Sequence, residues 1–166
     1  MATGAGTAMQ ADLWTFAVSL YDCPEVAEDC LTLQDDLGAN VCLLLCGAWL
    51  EQRSVACTPE RLAVLNTLAM QWSAAVVEPL RGLRRQWREG AHHDAQLARL
   101  REALKGLELQ AEKVLLERLA KACEDWPATA RSTLWLEALL PAPSAATQRM
   151  DDRGALHRLR AAVPDA

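Results

Sequence analysis

Val41-Cys42-Leu43-Leu44-Leu45-Cys46-Gly47-Ala48-Trp49-Leu50 is apolar at every one of its ten positions. A helix with a single apolar stripe lies on a surface, whereas one that is apolar on all sides needs neighbours all round it. A bilayer-spanning helix takes about 20 residues, so this stretch is too short to cross a membrane. It reads as the central helix of a bundle, with Asn40 placed to cap its start.

The chain on either side reads as further helices. Asp12 caps a first helix running to about Asp22, with Trp14, Ala17, Val18 and Tyr21 on its apolar face. Pro24 suits the first turn of a second helix, and Glu25, Glu28 and Asp29 favour its positive end. Val26, Cys30, Leu33 and Leu37 form its stripe, and Gly38 is its stop signal. Downstream, Thr58-Pro59-Glu60-Arg61 is a cap followed by proline at the first helical position. Leu62, Leu65, Ala69, Trp72 and Val76 define the buried face that follows. Pro79 cannot keep the backbone bond four residues back, so a kink or restart is expected there, continuing from Leu80 to Trp87. After a loop at Gly90-Ala91-His92-His93-Asp94, a long helix runs from about Ala95 to Cys123. Its Leu97, Leu100, Leu104, Leu107, Ala111 and Val114 alternate in steps of three and four, the seam of coiled-coil-like packing within the bundle or between two copies. Trp126-Pro127 ends it, and Ser132 to Leu140 forms a last short helix.

The expected fold is therefore all-α: one compact bundle of about six helices around the central apolar one. Residues 1–10 read as a disordered leader, 11–140 as the helical domain and 141–166 as a flexible tail. Within the tail, Leu156, Leu159 and Val163 share one side of a short helix that either docks on the domain or a partner, or frays.

The block Leu13-Trp14-Thr15-Phe16-Ala17, with Pro24-Glu25-Val26-Ala27, Cys30-Leu31-Thr32-Leu33-Gln34-Asp35 and Gly38-Ala39-Asn40-Val41 after it, resembles a proteobacterial family of small helical conserved proteins of unknown function. Trp72 with Val76-Val77-Glu78-Pro79-Leu80-Arg81 and Leu107-Glu108-Leu109-Gln110-Ala111-Glu112 extend the resemblance, which covers roughly residues 12–140. It implies a cytoplasmic helical protein and carries no activity, ligand or catalytic residue.

Composition agrees with that expectation. Ala, Leu and Arg dominate, a helix-forming alphabet, and half of the residues are hydrophobic, enough for a sizeable core. There is no secretory start, so the six cysteines are expected to be small buried hydrophobes of a reducing cytoplasm, with Cys57 the most reactive. Cys42 and Cys46 sit in the apolar run and lack the second pair that a zinc site requires. The formal net charge of −5 conceals a gradient: residues 1–52 carry eight acids and no Lys or Arg, while residues 53–121 carry twelve basic groups and eight acidic ones.

That gradient singles out Arg81, Arg84, Arg85 and Arg88. On a helix they lie along one side, opposite Leu80, Leu83 and Trp87, within about 11 Å of axial rise. Four guanidinium groups so close repel one another unless something anionic answers them. Acids of the first two helices, such as Glu28, Asp29, Asp35 and Asp36, are one answer, and solvent is another. An acidic protein partner is a third, and phosphate, which matches the arginine fork, is the fourth. Nucleic acid is the weaker partner, because the acidic half of the chain repels its backbone.

A second candidate is Gln34, Asp35 and Asn40, where polar groups converge at helix ends beside the apolar run. Paired aspartates there lack the facing acidic helix that a magnesium–diphosphate enzyme needs, and Asp151-Asp152 in the tail is a poor substitute. The expectation is thus a non-catalytic cytoplasmic adaptor that binds an acidic protein partner through Arg81, Arg84, Arg85 and Arg88. RNA or a phosphate ligand on the same face is one alternative; a small-ligand binder or enzyme with a pocket at Gln34, Asp35 and Asn40 is the other. No catalytic residue, metal ligand or cofactor is identified, no membrane association is expected, and the protein is expected to be a monomer or a homodimer.

Overall fold

The computed structural model describes residues 12–129, 134–141 and 150–163, apart from the side chains of residues 35, 36 and 150–152. Among them the fold is all-α, as expected, and the extended backbone amounts to one isolated bridge between Val55 and Ala128. The helices are α1 (Leu13–Tyr21), α2 (Pro24–Leu37), α3 (Val41–Gln52), α4 (Pro59–Trp72), α5 (Glu78–Gln86), α6 (Ala95–Ala122), α7 (Trp135–Leu139) and α8 (Met150–Ala161).

α3 is the axis of the molecule. Every residue from Cys42 to Leu50 is buried, with α1, α2, α4, α6 and α7 packed around it. Gly47 permits the approach of α7, since a Cβ there would lie 2.8 Å from Leu139 Cδ1 and 3.4 Å from Trp135 Cβ. Trp135 is fully buried, donates its indole N–H to the Val55 carbonyl at 2.7 Å, and stacks on Trp126 with ring centres 5.9 Å apart.

The start and stop signals hold at the residues that carry them. Asp12 accepts the Thr15 N–H at 2.8 Å, and Thr58 accepts that of Arg61 at 3.3 Å. Gly38 closes α2 in the left-handed region, φ 66°, where a Cβ would be strained, and passes its N–H to the Gln34 carbonyl. The faces are less faithful. α1 buries Leu13, Phe16, Ala17 and Leu20, so the face predicted from Trp14, Val18 and Tyr21 is rotated by about one residue's turn. Trp14 instead lies half-buried beneath the Lys113 ammonium, and Val18 and Tyr21 face outward.

Pro79 acts earlier than its own position. The turn Ser73–Val77, just before it, widens from an α- to a π-helix. The missing proline N–H leaves a carbonyl four residues upstream without its helical donor, and a wider turn is one way to re-pair the backbone. The extra residue shifts the register, so Val77 is buried in place of the predicted Val76. Beyond it, α5 buries no residue, and α6 runs back along α4 and α5 as the other half of a helical hairpin.

The last helix, α8, lies along α2 and buries Ala155, Leu156 and Leu159. Its Arg158 grips Asp29, and its Arg160 grips Glu51 at the end of α3 and Glu137 on α7. Asp151 and Asp152 have side chains outside the described set.

Candidate functional site: a polar cleft at the head of the central helix

Only Arg81 and Arg84 of the arginine cluster are turned inward, and it is α6 that answers them. Arg81 donates through Nε to Glu108 at 3.0 Å, through Nη1 to Glu78 at 3.0 Å, and through Nη2 to Glu112 at 2.9 Å. Arg84 pairs with both carboxylate oxygens of Glu108. Of the answers open to the cluster, Arg81 and Arg84 take the intramolecular one, but their acids come from α5 and α6 and not from the first two helices. The structure also corrects the facing of α5: Leu83, predicted to lie on the packed side, is exposed, while Arg81 and Arg84 carry the contact with α6.

Glu108 is one of two charged residues buried among those described. Burial alone disfavours its carboxylate, but the hydrogen bonds from Arg84 and Arg81 outweigh that penalty and hold it below the usual carboxylate range. Glu112 goes the other way. Burial raises it, and Arg81 offsets only part of the rise, so it takes up a proton more readily than an ordinary glutamate.

A cleft of about 410 Å³ opens beside this network. Its walls are the end of α2 (Gln34, Gly38), the turn into α3 (Ala39 to Cys42), the π turn (Ser73, Val77), α5 (Glu78, Arg81, Arg85) and α6 (Glu112, Leu115). The two regions singled out from sequence, the arginines and the Gln34–Asn40 segment, are thus brought to one place. Asp35, predicted to share the site, has its side chain outside the described residues. Arg88 is exposed and lies outside the lining.

Asn40 ties the walls together. Its Oδ1 caps α3 by accepting the Leu43 N–H at 3.2 Å, and its Nδ2 donates to Ser73 Oγ at 3.0 Å. The cap therefore locks the head of α3 to the π turn that Pro79 causes. The first turn of α3, with no intrahelical acceptor for its N–H groups and a partial positive charge, forms part of the lining. Arg85 lines the cleft, is exposed and makes no ion pair among the described residues, unlike Arg81 and Arg84. Ser73, Glu108 and Glu112 were not anticipated. Glu108 shares its buried side of α6 with Leu104, Ala111 and Leu115, one position past the Leu107 that the leucine pattern selects.

The cysteines offer little chemistry here. Burial pushes the Cys30 and Cys42 thiols up to about 12. Cys46, in hydrogen-bonding contact with Cys123 and fully buried, is raised as well. Cys57, expected to be the most reactive, is half-buried and raised by burial, whereas Cys23 is the exposed thiol. Trp126 and Trp135 stack on each other. His92, His93 and His157 are all exposed, and no group of His, Cys, Asp and Glu able to hold a metal occurs among the described residues. No helix among them is long and apolar enough to cross a membrane.

Residues 12–119 match the family model described as "Protein of unknown function (DUF2390)". No curated protein and no solved structure matches the chain.

Proposed function

We propose a function from the site itself, because the chain belongs to the family Protein of unknown function (DUF2390) and that family supplies none. The protein is a non-catalytic binding module of the cytoplasm, and its cleft takes a small ligand bearing a carboxylate or a phosphate. The supporting observation is Arg85, a guanidinium without an ion pair among the described residues, set in a cleft of about 410 Å³ beside the first turn of α3. Arginine matches the two oxygens of such groups, and a helix N-terminus adds backbone donors and positive potential. Clefts of roughly this volume are typical of small-molecule sites. Asn40 and Ser73 supply neutral polar groups for orientation, and Glu112 admits an anion at little electrostatic cost when protonated.

Isothermal titration with sulfate and with inorganic phosphate tests this reading. Arg85→Gln should weaken binding at least tenfold and leave the melting temperature of the free protein unchanged. Arg88→Gln, outside the cleft, should change neither. Equal affinities in wild type and Arg85→Gln would contradict the assignment.

A second reading keeps the acidic protein partner, since Arg85 and Arg88 are both exposed without ion pairs among the described residues. It differs in one outcome: an acidic peptide would then lose affinity equally with Arg85→Gln and with Arg88→Gln.

A further inference from the structure

We propose that the face of α2 gripped by α8 is a docking groove for a basic amphipathic helix of a partner protein, with α8 its occupant in cis. The groove is acidic by construction. Asp29, only 5% exposed, lies in its floor beside Val26, Cys30 and Leu33, and Glu51 and Glu137 stand at its end. α8 meets each charge. The Arg158 fork holds Asp29 through Nε at 2.9 Å and Nη2 at 2.6 Å, and Arg160 spans Glu51 at 2.7 Å and Glu137 at 2.7 Å. Between the two arginines sits Leu159, fully buried, so the recognised pattern is a leucine flanked by two arginines on one helix.

Three features mark this contact as exchangeable. A carboxylate in the floor is costly only while covered, because once α8 leaves it is returned to water. An all-apolar floor would instead be left bare. Arg158 remains half-exposed in the bound state, as at the rim of a transient interface. Finally, α2 and α3 lie within the stretch that matches the family, whereas α8 lies beyond its end at residue 119. Asp29 and Glu51 thus belong to the matched stretch, while Glu137 of α7 and the cis helix lie beyond it. A tethered helix competes with a free one at an effective concentration of the order of millimolar, so a foreign helix gains access only when it binds better or when α8 is released.

The test uses the full chain and a fluorescent peptide of residues 150–163 as the probe helix. Arg158→Glu with Arg160→Glu, made in the chain, should release α8 and raise the affinity for the wild-type peptide about 100-fold over the unaltered protein. A peptide carrying the same two changes should not bind. A variant that keeps its helical content and cooperative melting yet ignores the peptide overturns the proposal. So does exchange of α8 between two copies as a stable dimer, which would make the occupant this chain itself. Should the variant unfold, hydrogen exchange on the unaltered protein decides. α8 amides exchanging at least tenfold faster than those of Leu44 to Leu50 support a detachable helix, and equal rates, meaning that α8 opens only with the whole molecule, overturn it.

Discussion

Glu108 is the residue on which the cleft rests. Two arginines converge on one buried carboxylate, and removing it leaves both without their common partner. Glu108→Gln should cost about 3 kcal/mol in chemical denaturation, as expected for breaking a buried pair. The linkage sign follows from its lowered value. A carboxyl depressed in the folded state stabilises above its ordinary value of 4.5, and that contribution is lost as pH falls through the folded value. The variant should therefore flatten the loss of stability below about pH 4.5. Glu112 has the opposite sign, because its value is raised on folding: its contribution is complete below 4.5 and lost as pH rises through the folded value. Protonation there removes a negative charge from the cleft, so sulfate affinity should strengthen as pH is lowered from neutrality towards 5. Glu112→Gln should make it pH-independent, and a flat profile in the unaltered protein would refute the role given to Glu112. Thiol labelling checks burial separately: Cys23 should react first, Cys57 after it, and Cys42 and Cys46 only on unfolding.

Among the elements, α3 and the α4–α5 segment show what periodicity can and cannot reveal. An apolar run with a cap before it has one solution, a surrounded helix, and Leu44 at its centre is fully buried. Leu44→Ala should cost about 2–5 kcal/mol in equilibrium unfolding; a loss below ~1 kcal/mol would displace α3 from the centre. Pro79 announced an interruption, but its form did not follow from spacing. A π turn inserts one residue, and every face assigned beyond it by a 3.6-residue period slips, which is why Val77 replaced Val76. On α6 the leucine pattern placed Leu100 and Leu107 in the seam, where the structure leaves both more than half exposed. Arg101 and Glu108 lie one position further on, and both bond to α5. Spacing cannot distinguish a seam closed by leucines from one closed by ion pairs, because the choice depends on the opposing helix.

The charge gradient belongs to the whole molecule, and its folded resolution was not legible from order along the chain. The acid-only first third and the arginine cluster looked complementary. The described contacts divide them instead: Asp29 and Glu51 take arginines of α8, and Arg81 and Arg84 take acids of α5 and α6. Pairings across 109 and 129 residues of sequence are set by tertiary packing, which composition does not encode. What did carry through was the choice of regions, since Gln34, Asn40, Arg81 and Arg85 line one cleft. Arg85 is the member left without an ion pair among the described residues, and the proposed function depends on it. The most direct measurement is calorimetric titration of sulfate into the unaltered protein, Arg85→Gln and Arg88→Gln at constant ionic strength. Binding that is lost with Arg85→Gln, kept with Arg88→Gln and accompanied by unchanged melting temperatures of the free proteins is the predicted result. Binding that is absent from all three, or indifferent to Arg85, would contradict the account.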